Sequence, residues 1–483
     1  MLARSRTSTS EYMQQPPGIW VLFITEMWER FSYYGMRALL VLYLIAGTEA
    51  VTPAGSANPG FGWSEEAAYL LYGIYTWAVY LTPILGGLLA DRLLGTHRSL
   101  VIGGWIIAAG HVLLALSEWL DNGAASAVTL ESGAPELLCF IAGLALIVIG
   151  TGFFKPCAAV MVGQLYKAED PRRDAGFTIY YLGINLGAVL APLVAGTLGE
   201  TVGWHWGFGA AAVGMVIGIL GYQRLRPRYL ANIGLPPVST ATQLSLATTL
   251  SSALDSRAWD RIRVILVLAF VGNIAFWTAF EQAGSSMNVF AAEHTDRTLW
   301  GLLAQPFPAS WFQAINPATV VLFAPLFALL WPWLARQGRD PSAPMKFAIG
   351  LWLLGLAFLA MVCAAFETRN GGLAGAHWLL ITYVVYTWGE LCLSPVGLSM
   401  VTKLAPLHLQ ALLMGLWYFS MSLSNLLAGL VAHGSVALER GEWTFLIPGL
   451  PGFYLALTVV PILIGFFIFL ISPTLRRWMH GVH

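Results

Sequence analysis

Glu26-Met27-Trp28-Glu29-Arg30-Phe31-Ser32-Tyr33-Tyr34-Gly35-Met36-Arg37 lies within residues 19–46, a stretch that otherwise reads as a membrane-spanning helix. A helix advances about 100° per residue, so offsets of three, four, seven and eleven from Glu26 keep Glu29, Arg30, Tyr33 and Arg37 on one face. A charged side chain at the bilayer centre costs about 2.5–3.5 kcal/mol even on the mildest scale. Four on one stripe therefore do not face lipid. They line a polar cavity, pair with one another, or both, which is the pattern of a proton or substrate pathway.

Composition agrees. Of 483 residues, 57% are hydrophobic and only 10% charged, against about 25% charged in soluble domains. The mean hydropathy is +0.68. The chain is expected to be an all-α polytopic membrane protein. Cys139, Cys157, Cys363 and Cys392 fall in apolar spans without metal or disulfide spacing and read as small buried hydrophobes. No HExxH or GxSxG motif occurs, so neither an enzyme nor a metal site is expected. Residues 1–18 lack an apolar core and a small-residue cleavage site, so no removable signal peptide is expected.

Twelve apolar stretches are long enough to cross about 30 Å of hydrocarbon. They fall near 19–46, 66–90, 99–118, 137–165, 175–199, 204–223, 262–290, 311–335, 346–366, 374–404, 410–434 and 449–472. The division expected is a cytoplasmic segment 1–18, a six-helix bundle 19–223, a polar linker 224–261 with a short surface helix near 242–254, a second bundle 262–472, and a cytoplasmic tail 473–483. With the N-terminus inside, nineteen of the 25 Lys and Arg fall in cytoplasmic segments. Three (Arg297, Arg369, Arg440) fall outside, and Arg30, Arg37 and Lys155 lie within spans. That asymmetry places both termini in the cytoplasm. Gly86-Gly87-Leu88-Leu89-Ala90-Asp91-Arg92-Leu93-Leu94-Gly95 joins spans two and three, and Arg336, Arg339 and Asp340 fall in a looser counterpart between spans eight and nine. This pattern resembles the loop motif of the major facilitator superfamily. Asp91 and Arg92 are read as gating or supporting residues that can pair across the halves.

Seven ionisable side chains lie inside spans: Glu26, Glu29, Arg30, Arg37, Lys155, Glu281 and Glu390. Buried ion pairs rarely outperform apolar pairs of equal volume, so stability alone is a poor reason for seven. Lys155 is followed by Pro156 and flanked by Gly150 and Gly152, which predicts a distorted helix with a freed carbonyl. Asn185 lies among Gly183, Gly187 and Ala188, on a face suited to close packing.

Together these motifs resemble the proton-dependent oligopeptide transporter family. The resemblance rests on Glu26-x-x-Glu29-Arg30-Phe31-x-Tyr33-Tyr34-Gly35, Ala90-Asp91-Arg92, Lys155-Pro156, Ile184-Asn185-x-Gly187, Phe276-Trp277 through Glu281-Gln282, and Glu390 with Ser394-Pro395. These occur in family order and cover both halves. The resemblance implies a major facilitator fold and a proton-coupled symporter importing di- and tripeptides, or else nitrate or another small organic anion, by alternating access. It implies that Glu26, Glu29 and Arg30 couple protons, that Arg37 and Lys155 meet a peptide carboxylate, and that Glu390 meets its amino terminus. Asn185 and Asn316 would hold the peptide backbone, with Ser394 beside them. Tyr33, Tyr34, Tyr72, Trp277 and Trp417 would form the side-chain pockets. Arg37 with Glu281 resembles an extracellular gate, and Lys155 with Glu390 a cytoplasmic one. The expected partners are small peptides, protons and the lipid bilayer, with no nucleic acid and no cofactor besides the coupling proton. A monomer in the inner cell membrane is expected. The polar linker leaves no room for two extra helices, and span two contains no His, so a bacterial twelve-span member is implied.

Overall fold

The computed structural model describes residues 15–120, 134–167, 170, 172–236, 255–406 and 409–481. The expected surface helix near 242–254 and most of the N-terminal segment lie outside these residues.

The chain folds into twelve long helices. They are α1 (Gly18–Ile45), α2 (Glu65–Leu89), α3 (Gly95–Trp119), α4 (Pro135–Gln164), α5 (Arg173–Ala191) and α6 (Trp204–Tyr229). Then follow α7 (Ser256–Val267), α8 (Ile315–Arg336), α9 (Ala343–Glu367), α10 (Ala376–Leu404), α11 (Gln410–Glu439) and α12 (Leu450–Trp478). Ten continuous stretches are long and apolar enough to cross a membrane, one of which, Glu65–Glu118, contains both α2 and α3. The helix α1 fails that composition test because every 18-residue window in it carries at least three of Glu26, Glu29, Arg30 and Arg37. The spans thus number twelve, as expected from the sequence.

Several helix ends move outward from the hydropathy limits. The helix α6 runs to Tyr229 rather than 223, and α7 starts at Ser256 rather than 262. Hydropathy marks where hydrocarbon ends, whereas helical hydrogen bonding continues into the polar boundary. Arg226 and Arg228 occupy the last turn of α6, where unpaired carbonyls favour cations. Asp255 caps α7 by accepting the Ala258 amide at 2.7 Å. The linker shrinks accordingly, and α12 extends to Trp478, so the tail begins at Met479.

Helix contacts repeat at an offset of six. The pairs α3–α4, α3–α6, α1–α5 and α2–α4 recur as α9–α10, α9–α12, α7–α11 and α8–α10. Two pairs, α2–α11 and α5–α8, join one half to the other and exchange under the same operation. This is the two-halved architecture expected for the major facilitator fold. The closest pairs rest on small residues. A Cβ on Gly103 would lie 2.6 Å from the Gly150 carbonyl, and one on Gly110 would lie 2.7 Å from that of Gly143. Across the halves, a Cβ on Gly73 of α2 would lie 2.7 Å from the Cα of Gly429 in α11.

Four spans are irregular. The helix α2 continues into a π turn at Ala90–Leu94, and α5 passes through another at Pro192–Gly196 before its last turn, Thr197–Thr201. Beyond Val267, α7 continues as a π turn (Leu268–Asn273), a helical segment (Ile274–Phe280), a 3₁₀ turn (Glu281–Gly284) and a last segment, Ser286–Glu293. A 3₁₀ turn, Ala309–Ala314, leads into α8. In α4, Pro156 has no N–H for the Gly152 carbonyl. Gly86 of α2 packs directly over that freed oxygen, where any Cβ would collide.

Candidate functional site

The charged stripe of α1 forms as the 3.6-residue period predicts. Arg30 donates from Nε and Nη2 to both oxygens of Glu29, the latter bond 2.6 Å long. Its Nε also lies 3.2 Å from Oε1 of Glu26. All three are buried, Glu29 to 1% exposure. The two acids are not equivalent: Glu29 is locked in a fork, whereas Oε2 of Glu26 accepts no hydrogen bond. Two turns further, Arg37 donates from Nε to the Tyr72 hydroxyl at 2.7 Å and from Nη2 to Glu281 on the 3₁₀ turn of the seventh span. Tyr33 lies under the Arg30 guanidinium at 5.4 Å, and the Tyr34 and Tyr72 rings each lie 5.8 Å from that of Arg37.

Lys155 is placed by the proline-distorted part of α4. Its Nζ lies 3.6 Å above the centre of the Tyr80 ring, a close cation–π contact. It forms no ion pair among the described residues, although Glu26, Glu29 and Glu281 lie within electrostatic range. Glu390, on α10, accepts a hydrogen bond of 2.8 Å from Asn316 Nδ2, which also donates to Thr387 at 2.9 Å. The charges of Arg30, Arg37, Glu281 and Glu390 all reach the Tyr34 hydroxyl, so that ring stands among groups from both halves.

Contacts between the halves concentrate at the end away from the termini. Besides Arg37 and Glu281, Asn288 donates to the Ala38 carbonyl at 2.9 Å, and Arg440 pairs with Glu66 at 2.6 Å. Glu200 accepts the backbone amides of Ala309 and Ser310 at 2.7 and 2.9 Å, with Arg297 at 3.9 Å. Trp311 donates to Thr197 at 2.8 Å. Near the middle, Ser422 donates to the Trp77 carbonyl at 2.9 Å. Deeper in the spans, the expected pair of Lys155 and Glu390 is not formed. Nor do Asp91 and Arg92 find ion-pair partners among the described residues; both are exposed on the π turn after α2. Lys155 and Glu390 each hold a neutral partner instead, the Tyr80 ring and the Asn316 amide.

A family model described as the POT family matches residues 97–229 and 238–440. The chain belongs to the POT family. A protein named peptide transporter YePEPT from Yersinia enterocolitica is 35% identical to it, with 95% of this chain and 94% of the relative covered. A di-/tripeptide transporter of Lactococcus lactis subsp. cremoris is 34% identical over 86% of this chain and 88% of the relative. Among solved structures, a mutant peptide transporter POT in complex with alafosfalin superposes with a TM-score of 0.81 at 32% identity, covering 97% of each chain.

The other residues expected at the site take several positions in this POT-family chain. Gly183 and Gly187 carry the contact of α5 with α1, and Asn185, on the opposite side of α5, is buried with its amide donating to the Tyr181 carbonyl at 2.9 Å. Asn316 holds Glu390 and Thr387 through its side-chain amide. Trp417 is buried against Phe347 and over Gly397. Trp277 donates to Asn273 at 2.9 Å, and Asn273 in turn to Ser420 at 2.9 Å. Ser394 is half-buried on α10 one turn beyond Glu390. Among the described residues, no cluster of three His, Cys, Asp or Glu could hold a metal ion.

Four contributors escaped the sequence reading: Tyr80, Asn273, Thr387 and Glu200. Tyr80 follows Tyr72 by eight residues and so shares its helix face, a signal the period alone carries. Asn273 is a buried polar residue in an apolar span, where neither a charge nor a motif marks it. Glu200 sits at a span end, where its cross-half partners have no sequence signal.

Proposed function

We propose that this protein is a proton-coupled symporter that imports di- and tripeptides by alternating access. In this reading it is a transporter rather than an enzyme, it lies in the inner cell membrane with both termini in the cytoplasm, and the state described is closed outside and open inside. The observation that carries the reading is an asymmetry of ion pairs. Arg37 and Glu281 are joined on the side of the molecule away from the termini, while Lys155 and Glu390, well inside their spans, each hold a neutral partner.

A zwitterionic peptide needs a cation for its carboxylate and an acid for its amine. Lys155 and Glu390 are two such groups, held by contacts that can be exchanged for a charged one. Charge-assisted hydrogen bonds at the peptide termini give affinity that does not depend on side chains. Tyr34 and Trp277, both half-buried, offer apolar faces with polar tips for varied side chains, backed by the buried rings of Tyr33 and Tyr72. When the peptide engages Lys155, the balance of charge around Glu26, Glu29 and Arg30 changes, and a proton on Glu26 has a new equilibrium to meet. Closing the inner end then requires Lys155 to reach Glu390, and opening the outer end requires Arg37 to leave Glu281. Membership of the POT family and relatives named for peptides support the same substrate class.

Uptake of radiolabelled dialanine into proteoliposomes is the test. Accumulation above equilibrium with an inward proton gradient, collapsed by a protonophore, is expected. Absence of dialanine uptake together with proton-driven uptake of nitrate would replace the peptide reading.

A further inference from the structure

At the end that carries the termini, residues of α3 and α6 line a recess of about 390 Å³. Its walls include His97, Arg98, Val101 and Ile102 from α3, with Gln223 and Arg226 from α6. It lies on the outer side of the N-terminal half, away from the charged stripe of α1. His97 feels the charge of both Arg98 and Arg226 and is tied through Nδ1 to the Tyr222 hydroxyl at 2.9 Å. Neither arginine forms an ion pair among the described residues. The Nε of Arg226 is buried and has no hydrogen-bond partner. Two guanidiniums held near one another without a carboxylate repel, and a buried guanidinium N–H without an acceptor is costly. A recess whose charged groups are all positive, with no carboxylate among its lining residues, is complementary to an anion.

The surroundings say which anion. One turn into the span, the wall turns apolar. Ile102 on α3 and Leu220 on α6 are exposed at 40% and 50%, and Trp105 and Ile217 continue the same outward faces at 40% and 45%. A soluble phosphate would use the guanidiniums and leave this apolar strip uncovered. A phospholipid would use both, its phosphate at Arg98 and Arg226 and its acyl chains along α3 and α6. Basic recesses between spans at a membrane boundary suit anionic headgroups for this reason.

We propose that the α3–α6 recess is a binding site for an anionic phospholipid, with Arg98 and Arg226 gripping the headgroup phosphate. Native mass spectrometry of the delipidated full chain tests this, with phosphatidylglycerol, phosphatidylcholine and inorganic phosphate as separate probes. A basic residue near a membrane surface favours an anionic lipid by about fivefold, so two should give phosphatidylglycerol an advantage of roughly 25-fold over phosphatidylcholine. Arg98→Gln and Arg226→Gln should each lose about fivefold of that preference. Arg98→Lys should lose less, and Arg339→Gln, at a distant exposed loop, should lose none. Equal retention of the two lipids by the unaltered chain overturns the proposal without recourse to any variant. An equal loss in Arg339→Gln also overturns it, since the effect would then be general surface charge. Displacement of phosphatidylglycerol by micromolar inorganic phosphate would make the recess a free-anion site and likewise overturn it.

Discussion

Lys155 rests its ammonium 3.6 Å above the ring centre of Tyr80, so this cation is held by a neutral group rather than by Glu390. A partner without charge can be left for a carboxylate without separating an ion pair. Cation–π contacts are worth about 0.5–2 kcal/mol, weak enough to exchange and strong enough to position. Tyr80→Phe should therefore transport nearly as the parent does, whereas Tyr80→Leu should shift the apparent KM for dialanine by roughly 2- to 30-fold. Uptake kinetics decide, and identical behaviour of the two variants would remove the ring from the account.

The unequal bonding of the two acids on α1 predicts unequal phenotypes. Glu26 keeps an oxygen free of hydrogen bonds, so Glu26→Gln should abolish proton-driven accumulation yet preserve peptide counterflow, which needs no net proton movement. Glu29 is the fork partner of Arg30. Glu29→Ala leaves that buried guanidinium half-paired and should cost on the order of 3–5 kcal/mol of stability, seen as a lowered Tm in detergent. Undiminished concentrative uptake by Glu26→Gln would place the transported proton elsewhere.

Glu390 offers a test of substrate polarity. N-acetylation removes the charged amine of a dipeptide and should weaken binding to the parent protein by about 2–5 kcal/mol, mainly because a buried acid is left unpaired. In Glu390→Gln the same chemical change should matter little. A competition assay with dialanine and its N-acetyl derivative reads both, and an equal penalty in the two proteins would put the amine at another group.

The closed end should respond to its central ion pair. Glu281→Gln removes the partner of Arg37 and leaves Asn288, Glu200 and Glu66 to hold the halves. Spin-label distances between the outer ends of α1 and α7 should broaden toward longer values in the variant. A distribution unchanged from the parent would show that the outer closure does not depend on Arg37 and Glu281.

The sequence disclosed the spans because burial in hydrocarbon writes itself into uninterrupted apolar runs. It also disclosed the α1 stripe, because four charges at helical spacing admit few other readings. What it did not disclose depends on distance between segments far apart in the chain. Asn316 was expected to hold a peptide backbone, and only folding brings it within 2.8 Å of Glu390. The pairing expected for Lys155 and Glu390, and for Asp91 and Arg92, depends on which end of the molecule is open. One sequence encodes both states, and a motif names the partners without saying which are together. The helix ends moved for a simpler reason, since arginines that end an apolar run can still continue a helix, as Arg226 and Arg228 do in α6.

Where Gly73 of α2 meets Gly429 of α11, the two halves touch backbone to backbone. Most joints between helices interlock side chains, and sliding them means lifting each side chain out of one rotamer well and into another. Two α-carbons have no such wells. A tilt across this contact meets little internal friction, so the joint acts as a bearing set beside the latches of the closed end. The activation enthalpy of turnover should then reflect the breaking of charged contacts and not repacking at the bearing. Gly429→Ala, which adds a single methyl group there, should steepen the Arrhenius slope of transport even where binding of dialanine is unchanged.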